Sequence, residues 1–200
     1  GQVLYGSNHA FIDAHKSNRL IVTEGYIDVI SLFMAGFKET VAPLGTALTD
    51  SHIQALWKVA SEPMLCFDGD EGGYRAALRT AGRALPFLKA GYGLRFVNLP
   101  RGDDPDTLIR REGKAMMNKL LESSLPLSEF LWRTEIGHKF PETPEGKANI
   151  EKKLFGYANQ IKDANVRKHF NESFKDRIWQ NRNYNNKDYK VKLKMERKQR

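Results

Sequence analysis

Met64-Leu-Cys-Phe-Asp-Gly-Asp-Glu-Gly-Gly73 is the stretch that decides the fold. Pro63 precedes a continuous apolar run, Met64 to Phe67. Such a run suits a short strand buried on both faces of a parallel sheet. Asp68 and Asp70 follow at once, separated by one glycine. Side chains two apart on an extended chain point the same way, so the two carboxylates face one spot. Glycines at 69, 72 and 73 let backbone come close to whatever sits there. Two anions aimed at one point repel unless a cation lies between them. Ligands of open α/β sheets collect at the carboxyl ends of the strands. The stretch therefore reads either as a divalent-metal site or as a strand-to-helix turn whose Asp70 caps the next helix.

Working outward, the same design recurs. Arg19 to Thr23 is a first strand, ending at Glu24-Gly25, with a helix over Tyr26 to Ala35. Glu24 thus occupies a strand's carboxyl end, as Asp68 does. Asp28 stands one helical turn further on, where the helix dipole favours a carboxylate in any case. Thr40 to Pro43 is a second strand; Leu44 to Leu48 is a loop offering amides and the Thr46 hydroxyl; Thr49 or Asp50 caps a helix that buries Ile53 and Leu56. His52, like His9 and His15, reads as a surface residue. After the opening stretch comes a helix carrying Tyr74, Ala77, Ala81 and Leu85, then a fourth strand over Leu94 to Leu99. The loop beyond it, Pro100-Arg-Gly-Asp-Asp-Pro-Asp-Thr107, brings Asp103, Asp104 and Asp106 to the same edge, with Asp106 also readable as an N-cap. Carboxylates delivered by three strands destabilise a fold unless they serve something. Hard oxygen ligands without His or Cys favour Mg²⁺ or Mn²⁺, and Mg²⁺ is commonly completed by substrate phosphates. That chemistry points to phosphoryl or nucleotidyl transfer.

Composition bounds the rest. The 200 residues hold one ordinary domain and an appendage, and 40% apolar content supports a real core. The single cysteine, Cys66, excludes an internal disulfide and reads as a small buried hydrophobe in a reducing cytoplasm. No apolar run approaches the roughly 20 residues of a membrane span. The start lacks a methionine and resembles a cut from a longer protein. Net charge is +8, but residues 181–200 hold eight Lys or Arg against two acids, a local +6 that leaves +2 for the body. This tail reads as a phosphate-binding arm, a solvated helix end or a linker. From about 126 helices take over: Leu127 to Trp132 opens one, Glu145 to Ile161 forms another, and Asn165 to Trp179 is amphipathic, with its aromatics in a core.

These motifs resemble the TOPRIM domain shared by primases, topoisomerases and some nucleases: Glu24 after the first strand and Asp68-Gly-Asp70 after the third. Leu4-Tyr5-Gly6, Glu24 to Val29, Leu44-Gly-Thr46, Phe67 to Asp70 and Gly102 to Leu108 bring the resemblance closer to bacterial replicative, DnaG-type DNA primases. Gly72 departs from it, since primases more often carry alanine there. The resemblance implies an α/β fold, with a mainly parallel four-stranded sheet flanked by helices and a C-terminal helical subdomain. The corresponding division is 1–17 lead-in, 18–101 TOPRIM domain, 102–125 acidic loop and helix, 126–180 helical subdomain and 181–200 basic tail. It implies a metal set of Glu24, Asp28, Asp68, Asp70, Asp104 and Asp106, holding Mg²⁺ with Mn²⁺ as substitute. It also implies Glu24, Asp68 and Asp70 as the catalytic residues, with Glu24 available as general base. The implied activity is RNA-primer synthesis from nucleoside triphosphates on a single-stranded DNA template, by a cytoplasmic monomer without membrane contact. Zinc, the basic half of the polymerase core, and contacts to the replicative helicase and single-strand-binding protein are expected in other parts of such a protein, so these 200 residues alone are expected to be inactive or nearly so. The competing readings are TOPRIM cleavage of the topoisomerase or nuclease type and a non-catalytic TOPRIM binding module. A topoisomerase usually has a further acid just beyond Asp-x-Asp, and Glu71 comes one residue too early.

Overall fold

The apolar strand runs form a six-stranded mixed sheet. The computed structural model describes residues 3–43, 47–137 and 139–198, with side chains described to 181. Its strands are β1 (Leu4–Tyr5), β2 (Ile21–Val22), β3 (Thr40–Pro43), β4 (Met64–Leu65), β5 (Arg95–Phe96) and β6 (Leu125–Pro126), in the order β1-β3-β2-β4-β5-β6. The inner four are parallel, with Ile21 opposite Thr40 on one side and Met64 on the other, and Met64 opposite Arg95. These are the four expected strands. Two antiparallel edge strands of two residues each, which sequence reading did not reveal, extend them.

Alternation along the strands fills two cores. Val22, Leu65, Phe67 and Phe96 face one apolar cluster, while Ile21, Cys66 and Val97 face the other. The smaller cluster lies under α2 (Tyr26–Met34) and α5 (Pro105–Glu122), through Leu32, Leu108, Met117 and Leu121. The larger lies under α1 (Ser7–Ser17), α3 (Asp50–Trp57) and α4 (Glu71–Ala84), through residues such as Ala14, Ile53, Leu56 and Ala81. Both faces are covered, which is why the strands read as unbroken apolar runs. Cys66 is fully buried, and burial pushes its thiol well above the ordinary range. Among the described residues no helix is long and apolar enough to cross a membrane.

The helical part, α6 (Leu127–Ile136), α7 (Pro144–Asn159) and α8 (Ala164–Lys198), adds Phe130, Leu131, Leu154 and Phe174 to the larger cluster. Phe130, Trp132, Phe140 and Phe174 are core residues, as expected, and Phe155, Tyr157 and Phe170 pack against them, but Trp179 at the end of the amphipathic stretch is 65% exposed. The hinge of this packing is a ring stack: Phe130 on α6 lies over Phe96 on β5 with centroids 4.0 Å apart and planes 6° apart. The backbone of 182–198 continues α8, while the side chains of the basic tail and the 44–46 loop, with Thr46, lie outside the described residues.

Two local expectations are corrected. His52 is buried, 2% exposed, because its Nδ1 accepts the Thr49 amide at 3.3 Å and closes a capping box on α3. The helix after the acidic loop is capped by Asp104, not Asp106: Pro105 takes the first helical position and Thr107 N donates to Asp104 Oδ1 at 2.6 Å. That helix is interrupted at Gly113, whose φ of 75° favours glycine.

α2 presents a contrary face. Val29 and Leu32 are buried, yet Tyr26, Ile27, Ile30, Phe33 and Met34 remain exposed along one stripe.

The Phe96–Phe130 stack ties sheet to helices, so Phe130→Ala is expected to cost about 3 kcal/mol of stability in urea denaturation. Phe130→Leu, which keeps most of the volume, is expected to cost less than half of that.

Candidate metal centre

The order of the parallel strands creates the site. From β2 the chain crosses to β3 on one side, and from β3 it returns past β2 to β4 on the other. The sheet's topological switch point therefore lies between the carboxyl ends of β2 and β4, where open α/β sheets bind ligands. Glu24 follows β2 and Asp68 follows β4, and Asp68 N donates to Glu24 Oε1 at 3.2 Å.

The remaining acids arrive on helix starts. Asp70 is the N-cap of α4, its carboxylate accepting Gly73 N at 2.8 Å. Asp28, 7% exposed on the first turn of α2, accepts Gly25 N at 3.2 Å. Asp104 caps α5, and Asp106 in its first turn accepts from Ser31 Oγ and from Arg110 Nε, the latter at 2.8 Å. Both structural and ligand readings of Asp28, Asp70 and Asp104 thus describe one placement, since a helix N-terminus both orders and stabilises a carboxylate.

The glycines act differently from expectation. A Cβ on Gly69 would lie 2.1 Å from Pro100 O, and one on Gly73 would lie 2.1 Å from Asp68 O. The close approach at both is by the chain's own backbone, not by a ligand. It locks the Asp68 loop to the acidic loop: Gly69 N donates to Asp103 O at 2.7 Å and Gly102 N to Gly69 O at 3.0 Å. Asp103 is turned away from the other acids and gripped by Arg111 through two bonds of 2.5 and 2.6 Å, which hold its carboxyl below the usual range. Sequence reading missed Arg111, Ser31 and Arg110. Only the Asp104-Pro105 pair, an N-cap followed by proline, signals a helix long enough to bring Arg111 back onto Asp103.

The cluster is electrostatically unfinished. Burial, then Glu24, Asp28, Asp104 and Asp70, push Asp68 up to about 6. Burial, with Asp104 and Asp106, pushes Asp28 up to about 6 despite the opposing amide bond from Gly25. Asp68 Oδ1 is buried with no hydrogen-bond partner. An orphaned carboxylate oxygen among acids, with no imidazole or thiolate donor, fits a hard divalent cation. Among the described residues, no three acidic, imidazole or thiol groups are already arranged to hold an ion. The acids share one edge and one field, and the capping acids each use one carboxylate oxygen in the cap and leave the other available. Two clefts flank them: one of about 500 Å³ beside Asp68, Asp70, Arg101 and Arg133, and one of about 310 Å³ beside Glu24 and Arg79. Glu71 points elsewhere; its carboxylate pairs with Arg75 at 3.8 Å on the exposed side of α4.

The family described as Toprim domain matches residues 18–97. The chain is 44% identical over 179 residues to the DNA primase of Rickettsia prowazekii, covering 90% of this chain and 30% of the relative. It is 40% identical over 167 residues to the DNA primase of Escherichia coli K12, covering 84% and 29%. Among solved structures, it resembles a DNA primase domain from Pseudomonas aeruginosa with a TM-score of 0.81, 34% identity, and coverage of 90% of this chain and 56% of that one. A DnaG primase catalytic domain bound to ssDNA superposes with a TM-score of 0.79 at 37% identity, covering 88% and 57%. The chain thus spans about 30% of the length of the primases it matches in sequence.

The raised carboxyls set a pH dependence. The native state holds protons on Asp68 and Asp28 that the unfolded chain releases near pH 4, so between about pH 4 and 6 rising pH removes stability. In chelator, Asp68→Asn is expected to match the parent near pH 4 and to exceed it by about 1–2 kcal/mol above pH 6.5, after allowance for screening at this half-buried site. Urea denaturation across pH measures the gap, and one that fails to widen contradicts the clustered-anion account.

Proposed function

The chain belongs to the DNA primase family, carrying the Toprim domain and helical region of the primase catalytic core, and on that premise we propose that it supplies the acidic half of a primer-synthesising nucleotidyltransferase. The reaction is attack by a 3′-hydroxyl on the α-phosphorus of a nucleoside triphosphate, forming a phosphodiester and releasing pyrophosphate, on a single-stranded DNA template. The observation that carries this reading is the buried, unpartnered Asp68 Oδ1 at the switch point amid like charges.

Glu24, Asp68 and Asp70 are the catalytic residues in this proposal, and Asp28, Asp104 and Asp106 complete the set that would hold divalent ions. When bound, Mg²⁺, or Mn²⁺ in its place, would screen the triphosphate and favour attack at phosphorus. Glu24 is the group suited to take the 3′-hydroxyl proton, because it stands at the end of β2, half-buried and ordered by the Asp68 amide. Asp70 and Asp104 deliver their carboxylates from helix caps, so their positions are set by backbone rather than by flexible side chains. The template strand, triphosphates and primer are the partners of this reading; the helicase, the single-strand-binding protein, zinc, cytoplasmic location and a monomeric state belong to the larger protein it implies. The division into a 102–125 acidic segment and a 126–180 helical subdomain is part of the same proposal.

Two measurements test it. Mn²⁺ titration followed by electron paramagnetic resonance is expected to show binding to the parent chain that Asp68→Ala/Asp70→Ala weakens by more than about tenfold; equal binding by both would defeat the metal assignment. In a primase of full family length carrying these residues, Asp68→Asn is expected to reduce primer synthesis by at least about a hundredfold while leaving the melting temperature intact or raised.

A further inference from the structure

The opposite edge of the sheet carries a second surface, which the catalytic reading does not use. α3 runs from the carboxyl end of β3 back across the sheet and ends at Trp57, and Tyr92 and Gly93 lie just before β5 begins. Both therefore sit at the amino-terminal edge, across the sheet from the acids. Trp57 Nε1 donates to Gly93 O at 2.7 Å, and its ring meets Tyr92 with centroids 6.2 Å apart. This bond fixes the loop and leaves Tyr92 45% exposed. Beside it Phe87, on the 3₁₀ turn after α4, is half-buried under Lys162 Nζ, 5.8 Å from the ring centroid. Together they wall a cleft of about 670 Å³.

Its rim is basic. Lys58, Lys89 and Lys162 line the cleft against one acid, Asp163, and all three lysines are exposed. Asp163 is already occupied, accepting the Asn165 and Val166 amides at the start of α8. Among the described residues Lys58 and Lys89 form no ion pair with another side chain. A fixed, exposed aromatic ring beside unpaired lysines combines a stacking platform with phosphate contacts, the pairing used to bind single strands without sequence preference. An acidic peptide would satisfy the lysines but leave the tyrosine face unused, and a duplex hides its bases from it.

We propose that the cleft between Trp57, Phe87 and Tyr92 is a second binding track for single-stranded DNA, at the edge opposite the acidic site. A base stacks on Tyr92 and the flanking phosphates meet Lys58, Lys89 and Lys162. Such a track holds strand away from the chemistry, and it does not rest on the catalytic assignment.

The test is fluorescence anisotropy of a labelled oligothymidylate against this chain, over a range of salt concentrations, with thermal unfolding as the folding control. Tyr92→Ala is expected to weaken binding about tenfold with the salt slope unchanged, and Tyr92→Phe to restore it. Lys58→Glu/Lys89→Glu is expected to weaken binding and to reduce the slope of log K against log salt by roughly 1–2. Lys119→Glu/Lys152→Glu, the same charge change at exposed positions elsewhere, is expected to have a much smaller effect. Parent-like binding by Tyr92→Ala, or equal losses from both lysine pairs, overturns the proposal. So does a poly-glutamate peptide that competes for the lysines while the tyrosine variants bind DNA normally, which would assign the cleft to a protein partner. Mn²⁺ binding by the same variants stays at the parent level, so failure here is separable from failure at the acidic edge.

Discussion

Like-charge repulsion at the carboxyl ends of β2 and β4 is the constraint on which this structure turns. Six carboxylates reach one edge, and desolvation of Asp28 and Asp68 makes each ionisation there more costly than in water. A fold meets such a cost by dispersing the charges, by protonating some of them, or by pairing them. Here the dispersal is done with backbone. Asp28, Asp70 and Asp104 each accept an amide at or beside a helix start, and Glu24 accepts the Asp68 amide. Each acid thereby receives partial positive charge from N–H dipoles without any cation.

The same arrangement explains why the acids share an edge yet form no ready-made cage. A carboxylate that caps a helix has spent one oxygen on that role, while the other is available. Asp68 caps nothing either, and its buried Oδ1 has no hydrogen-bond partner. The least satisfied group therefore lies at the switch point, where the chain topology opens the sheet. A cation placed there would relieve the repulsion among the acids, which would couple its binding to local order.

How much of this was legible depended on the length of the signal. The four inner strands and the acids after them stand out, because doubly buried strands are unbroken apolar runs and a strand's last residue marks the ligand edge. The edge strands Leu4–Tyr5 and Leu125–Pro126 have two residues each, too few for any period to show. His52 looked like a surface residue because its neighbours are polar; its burial follows from a capping box, a backbone contact that hydropathy does not register. Asp106 looked like a cap because it precedes Thr107-Leu-Ile, yet Pro105 fits only the first helical turn, which moves the cap to Asp104. The roles of the glycines were legible in kind but not in object, since close approach is a property of the backbone whichever atom approaches.

The fate of Asp103 and Asp106 shows the fold sorting its acids. Asp103 stands in the loop before α5 and Asp106 in its first turn, and both have arginine neighbours on α5. Arg111 takes both oxygens of Asp103, and the backbone of that residue holds Gly69. Its charge is neutralised, and the backbone bond ties the two acidic loops. Arg110 touches one oxygen of Asp106 from an exposed position, where an ion pair is worth little and is screened by salt. Asp106, held by Ser31 from α2, instead lies close enough to Asp28 to help raise that carboxyl. Had Arg111 gripped Asp106 instead, the cluster would have lost an anion and Asp103 its partner. The bidentate pair thus takes the surplus acid out of the repulsion, while the backbone bonds of Gly69 hold the two loops together.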